Sequence, residues 1–210
     1  MKTSSTRIKG TRHPDAVRWD KRYRAEFTSW LSHPPKKLLR DFAHLLPPKG
    51  LALDVASGIA TNSFFLAERG LTPIALDISY VAMHIARDRF IDNGFPYNLA
   101  VCDLKGLWLP ANHFEVIIDF CFLERSIFPK IVESLKPGGL LIFESYLESS
   151  VHSFNTNYYL KSGELADAFS ALEIIHSKQT IREDGKQRSR RKVEQLVAQK
   201  LKLPGPNQGN

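Results

Sequence analysis

Cysteine is scarce: Cys102 and Cys121 are the two in 210 residues, and both fall in apolar, strand-like runs. Their spacing gives neither a disulfide framework nor a metal-ligand set, so both are expected to be reduced packing residues, and no metal site is expected. Long apolar runs are missing too, the best candidates being interrupted by Asp119 and by Pro137, Gly138 and Gly139. No membrane span is expected. The first residues, Met1 to Ser5, lack the apolar core of a signal peptide, and a cytoplasmic protein is the expectation. Glycine is short at one telling place. After Gly58 the chain reads Ile59, Ala60, Thr61, Asn62 and Ser63, without the second and third glycines of a dinucleotide fingerprint. A pyrophosphate needs the closest backbone approach there, and Cβ atoms obstruct it.

What is abundant is positive charge, +7 overall. It is unevenly spread: residues 1–24 carry +6, residues 178–202 carry +6, and the rest carries −5. The basicity therefore belongs to the two ends. A cluster such as Arg188, Arg190, Arg191 and Lys192 has no aromatic residues interleaved with it, as single-strand binding would want. A solvated face is the simpler reading, with nucleic acid the alternative partner.

At 43% hydrophobic, the chain is long enough for one well-buried core. The pattern divides it into an N-terminal helical extension or lid (1–48), a main domain (49–202) and a loose tail (203–210). Residues 1–17 are polar and expected to be loosely ordered. From Val17 to Leu31, Trp19, Tyr23, Phe27 and Trp30 recur at helical spacing, an aromatic face that is either core or a lid over a ligand. A second helix is expected from Lys36 to Leu46 between proline pairs. The organising stretch follows. Leu51 to Val55 reads as a buried strand that ends in small residues, with Thr61 or Asn62 placed to cap the next helix. Strands at 72–77, 97–102, 114–120 and 140–144 alternate with helices at 80–91 and over about a dozen residues to Leu135. This alternation predicts parallel βαβ units with helices on both faces. Beyond 144 the rhythm changes to a helix at 164–169 and a closing hairpin, 172–180 with 192–201.

Ligands of an open parallel sheet lie beyond the carboxyl ends of its strands. Three successive strand ends here carry acids: Asp54, Asp77 and Asp103. A carboxylate at the position of Asp77 can accept both hydroxyls of a ribose, and Asp103 can accept from the amine of an adenine. The bland alternative is that each acid caps the next helix. An adenosine ligand without phosphates, such as S-adenosylmethionine, fits the small-residue turn that a dinucleotide does not.

Four segments carry a more specific likeness: Leu53 to Gly58 with Asn62 and Phe65 to Ala67; Ala75 to Ser79; Phe114 to Asp119; and Leu135 to Leu141. Trp19 to Tyr23 before them and Lys161 to Leu165 after them add to it. In this order and spacing the chain resembles the class I S-adenosylmethionine-dependent methyltransferases, within them the small-molecule group of tellurite-resistance and thiopurine methyltransferases. The resemblance implies a Rossmann-like, doubly wound α/β fold with a seven-stranded sheet, mostly parallel, whose last strand is antiparallel. It further implies that Asp54, Ala56, Ser57 and Gly58 cradle the methionine part of the cofactor. Asp77 with Ile78 would hold the ribose, and Cys102, Asp103 and Leu104 the adenine. Asp119 and Phe120 would border the sulfonium and the acceptor, while Trp19, Arg22 and Tyr23 close over the cofactor, Arg22 pairing its carboxylate. Departures from the family pattern are Ala60 in place of glycine, Thr61 in place of arginine and Ser57 in place of cysteine.

Such an enzyme transfers a methyl group in line, mainly by alignment. No Asn/Asp-Pro-Pro-Tyr/Phe signature follows the fourth strand, which speaks against amino methylation of DNA bases, and a small-molecule acceptor is expected. Candidate acceptor-side residues are Tyr146, His152, Tyr158 and Tyr159, with His152 the best candidate for a base on pKa grounds. Arg125 either binds an anionic acceptor or neutralises Glu124. The alternatives are a methyltransferase of RNA or protein recruited through the basic ends, and a cofactor-binding protein without catalysis.

Overall fold

The computed structural model describes residues 12–148, 158–184 and 189–202. Its centre is β1 (Gly50–Val55), apolar on both faces because neighbouring strands and helices cover it on every side. Parallel to it lie β2 (Leu71–Asp77) and β4 (Phe114–Phe120). Outside these run β3 (Asn98–Val101) and β5 (Leu135–Tyr146), followed by the hairpin of β6 (Glu173–Asp184) and β7 (Ser189–Gln199). The seven strands are ordered β3-β2-β1-β4-β5-β7-β6, with β7 antiparallel to both neighbours. This is the doubly wound sheet with an antiparallel last strand that the resemblance implies.

Alternate side chains of the central strands supply two cores. Leu53, Ile117, Leu141 and Phe143 pack on α6 (Phe128–Ser134) and α7 (Glu164–Ala168) through Phe128, Ile131 and Leu165. Ala52, Val116, Ile118, Phe120, Leu140 and Ile142 meet α3 (Lys37–Asp41) and α4 (Thr61–Ala67) on the other face through Leu38, Leu39, Phe65 and Leu66. Burying each of these larger side chains stabilises the fold by about 1.5–3 kcal/mol. Because Leu38 and Leu39 are core, residues 37–41 pack as part of the main body. Outside this body lie α1 (Pro14–Ala25) and α2 (Phe27–Leu31), called the lid below for their position, and α1 packs on α5 (Tyr80–Asp92).

Several boundaries differ from the sequence reading. Helix α1 already starts at Pro14, inside the stretch expected to be loose, because a proline at the first helical position has no amide to leave unpaired. The expected 17–31 helix breaks at Glu26, which leaves helical geometry (φ −109°, ψ 20°), and the shift in phase turns Phe27 outward to 46% exposure. The expected 36–46 helix is the short α3 followed by a single 3-10 turn, Ala43–Leu45. The helix before Leu135 shortens to α6 because Pro129 sets its start. Pro73 is tolerated inside β2 because β3 joins that strand only from Ile74 onward. Residues 1–11, 203–210 and His152 lie outside the described residues.

Candidate cofactor site at the strand ends

The turn after β1 alternates in hand: Ala56 (φ 52°), Gly58 (φ 58°) and Ala60 (φ 56°) are left-handed. An alanine there costs roughly 1–2 kcal/mol relative to right-handed backbone, so the surroundings must enforce the shape. They do so through the Ser57 amide, which donates to Leu76 O (2.9 Å), the Ala60 amide to Ser57 O (3.0 Å), and the Gly58 amide to Asp77 Oδ2 (2.8 Å). Ala60 opens α4, with no side chain capping that helix. Neither expected cap serves: Asn62 Oδ1 accepts from the Lys36 amide (3.0 Å) and Thr61 Oγ1 from Arg89 (3.2 Å). Both are drawn to partners far away in sequence.

Asp54, Asp77 and Asp103 stand at the ends of adjacent strands, in the order β1, β2, β3. Asp54 is fully buried and accepts from Ser63 Oγ (2.6 Å), which ties the strand end to α4. Burial, only partly offset by the Ser63 donors, pushes its carboxyl up to about 7. Asp77 takes the Gly58 amide on one oxygen and the Ser79 amide (2.8 Å) on the other, leaving each oxygen a further acceptor site. Burial raises its pKa against the pull of the Ser79, Gly58 and Ile78 amides. Asp119, at the end of β4, is 0% exposed, and neither of its oxygens has a hydrogen-bond partner. Burial, with Cys121 and Asp54 nearby, raises its pKa well above the usual carboxylate range; the Phe122 amide tempers the shift without completing a bond of normal geometry.

Helix α1 packs over this turn. Tyr23 is buried, stacks on Trp19 (5.7 Å between centroids) and meets Trp30 (5.0 Å). Its hydroxyl lies so close above Gly58 that a Cβ on that glycine would come within 2.6 Å of it. Burial, with Asp77 and Asp54 close by, raises the phenol's pKa. Asp20 fastens the lid: it accepts from Ser79 Oγ (2.7 Å), the Val81 amide (3.1 Å) and Arg12 (2.5 Å). Burial alone would raise the Asp20 carboxyl, but these donors outweigh it and hold it below the usual range. Arg22 lies over the Trp19 and Trp30 rings (5.2 and 5.3 Å) and pairs with Glu26 (3.3 Å).

The remaining expected residues separate. Ile78 and Cys102 are half-buried beside Asp77, and the Cys102 amide donates to Asp77 O (3.0 Å). Asp103 is exposed, accepts from the Lys105 amide (2.9 Å) and lies 3.9 Å from His13 of the lid. Leu104 is a core residue below it, and Phe120 points away from Asp119 into the packing around Leu38 and Leu39. Arg125 pairs with Glu164 and donates to Tyr159 O, with the charge of Glu124 also acting on it. Tyr158 is 51% exposed. Sequence reasoning missed the fastening by Asp20, whose partners lie some 60 positions away, and the left-handed backbone at Ala56, which alanine does not signal; at Ala60 the departure from glycine marked the place.

These residues suit an adenosyl sulfonium. Among the described residues, Ser57 Oγ, both Asp119 oxygens and Trp30 Nε1 are buried polar atoms without hydrogen-bond partners, each costing about 1–3 kcal/mol until something satisfies it. A ligand with ribose hydroxyls, an ammonium group and a net positive charge supplies donors and charge of the sign that three buried carboxyls favour.

The sequence of residues 52–139 matches the model of a methyltransferase domain family. No curated protein matches the sequence. Solved structures share the fold: TehB from Haemophilus influenzae (TM-score 0.70, 15% identity, 87% of this chain and 67% of that one) is one. Another is a phosphoethanolamine N-methyltransferase from Haemonchus contortus solved with S-adenosylhomocysteine (TM-score 0.67, 16% identity, 90% of this chain and 62% of that one). The [4+2]-cyclase SpnF is equally similar (TM-score 0.69, 14% identity, 90% and 97%). The matched segment and the shared architecture make this chain similar to the class I methyltransferases, TehB among them, and S-adenosylmethionine is the cofactor this likeness supports.

Proposed function

We propose that this protein transfers a methyl group from S-adenosylmethionine to a small-molecule acceptor. The observation that carries the reading is the double use of Asp77, which fixes the Gly58 turn and keeps acceptor sites on both oxygens. Those sites would hold the ribose hydroxyls, Ser57 and Asp119 would face the methionine end, and Asp103 would lie toward the adenine. When bound, the cofactor supplies an electrophilic methyl on a leaving group already activated by charge.

The chain's own task is then alignment and exclusion of water. Tyr23, Trp19 and Trp30 form an apolar cover, and Asp20 sets its position on α5. Burial pushes the Asp119 carboxyl above its ordinary range, and both of its oxygens are available to a ligand at the end of β4. A small acceptor accords with a lid of only two short helices.

Calorimetric titration tests this. The wild type binds S-adenosylmethionine, Asp77→Ala binds it at least tenfold more weakly, and a panel of thiol, hydroxyl and amine acceptors yields S-adenosylhomocysteine. Absence of binding in the wild type, or undiminished binding in Asp77→Ala, would overturn the proposal. Binding without turnover on any acceptor would favour a non-catalytic role.

A further inference from the structure

The carboxyl edge of the sheet is divided by charge. At β2, β1 and β4 it carries Asp77, Asp54 and Asp119; beyond β4 and β5 it carries Lys36, Arg182 and Arg191, gathered around Cys121 and Tyr146. Arg182 on β6 donates from Nη1 to Glu144 Oε1 (2.7 Å) and Cys121 Sγ (2.9 Å), and from Nη2 to Tyr146 Oη (2.5 Å). Its side chain is 18% exposed and that of Glu144 only 4%. The second Glu144 oxygen accepts from Gln195 (2.7 Å), so this acid orients the guanidinium from a fixed mount.

Two further cations crowd the same place. Arg191 stands directly across the β6/β7 ladder from Arg182, and both guanidinium groups lie 5.0 Å from the Tyr146 ring centre. Like charges facing each other across a ladder are destabilising, so the pair implies a counter-charge. Lys36 Nζ approaches Cys121 Sγ (3.8 Å), and among the described residues neither Lys36 nor Arg191 meets a carboxylate. Among the described residues, three cations gather around the one acid Glu144.

We propose that this cluster binds an anionic group, a carboxylate or a phosphate, on the small-molecule acceptor, an inference that rests on the methyltransferase reading above. Arg182 is the recessed anchor, Lys36 and Arg191 are the outer contacts, and Glu144 is a positioning residue. One recessed guanidinium suits one anionic group, whereas a nucleic-acid backbone calls for a row of exposed phosphate contacts. The division of the edge then has a chemical sense: the acidic half suits a cationic donor, and the basic half an anionic acceptor drawn toward it.

The test uses the full chain saturated with S-adenosylhomocysteine, titrated at low ionic strength with benzoate, inorganic phosphate and the neutral isostere benzamide. Benzoate or phosphate is expected to bind at least tenfold more tightly than benzamide, and which of the two is tighter tells carboxylate from phosphate. The double variant Lys36→Gln with Arg191→Gln is expected to lose at least tenfold in anion affinity while S-adenosylhomocysteine affinity stays within twofold. Removing Arg182 alone would strand Glu144, so Arg182→Gln is made together with Glu144→Gln and is expected to lose anion binding as well. Equal affinity for benzamide and benzoate, or retained anion affinity in both double variants, would overturn the proposal. So would a structured RNA that binds more tightly than either anion and depends on the same residues. If the wild type fails to bind S-adenosylhomocysteine, the methyltransferase reading falls, and the same titrations without it still decide the anion site.

Discussion

Replacing Gly58 with alanine probes the contact between lid and turn more directly than any change at the acids. Two costs are expected. The left-handed backbone (φ 58°) penalises a Cβ by about 1 kcal/mol. The new methyl would also meet Tyr23 Oη at 2.6 Å, and that phenol, buried against Trp19 and Trp30, has little room to swing away. Overpacking of this kind costs about 1–3 kcal/mol, so Gly58→Ala should lose about 2–4 kcal/mol. The geometry also predicts a rescue. After the hydroxyl, the nearest Tyr23 atom to that Cβ is Cζ at 3.5 Å, an ordinary contact, so Tyr23→Phe removes the clash and leaves only the backbone strain. Urea unfolding of the four proteins of the cycle should therefore give a favourable coupling of about 1–3 kcal/mol. Additivity within about 0.5 kcal/mol would mean that the phenol does not sit over the turn, and the account of the lid would fail with it.

The buried Asp54 predicts a pH dependence of opposite sign to that of a salt-bridged acid. Its folded pKa of about 7 exceeds the unfolded value of 3.8, so the folded state holds the extra proton and stability falls as pH rises from about 4 to about 7. Between pH 5 and 8 the wild type should lose about 2–3 kcal/mol relative to Asp54→Asn, and parallel stability curves for the two would contradict this. Asp20→Ala removes the acceptor shared by Ser79, Val81 and Arg12, and should cost about 1–3 kcal/mol with release of the lid, read as a change in tryptophan emission. A loss under about 0.5 kcal/mol would assign the docking of α1 to its apolar face alone. Lys200 Nζ donates to the carbonyls of Val132 (2.9 Å) and Leu135 (2.8 Å) at the end of α6, so Lys200→Met should destabilise by about 1 kcal/mol in chemical denaturation.

The half of the molecule that carries the candidate cofactor site is legible because its signals are local. β1 and β4 are short apolar runs that end in acids; Ser79 precedes its helix and does cap it, accepting from the Ala82 amide (3.1 Å). The Lys136 to Gly139 stretch is a bulge inside a longer β5, which carries three more residues than β4 between their first two pairings. Each of these features is decided by neighbours within a few positions. Where the deciding partner is distant, the reading failed. Thr61 and Asn62 look like caps until Arg89 and Lys36 arrive from other helices, and Asp20 looks like one more charge on an exposed helix until Ser79 and Val81 meet it.

The same distinction separates donor from acceptor. On the candidate donor half, β3-β2-β1-β4, single helices join β1 to β2 and β2 to β3 and a loop leads on to β4, so each acid follows its own strand in the sequence and the set can be read in order. On the other half, the hairpin returns antiparallel beside β5, and Arg182 reaches Cys121 across 61 positions and Glu144 across 38. No local pattern marks such a cluster; along the chain Arg182 and Arg191 belong to a basic end that reads as a solvated face. Folding converts part of that apparent surface charge into a recessed guanidinium on a buried carboxylate, and a recessed charge, unlike a solvated one, discriminates between ligands. The sheet is shared with many solved structures and the acids along its donor half are common to such folds, while the proposed anion contacts are side chains that only the pairing of β5, β7 and β6 brings together.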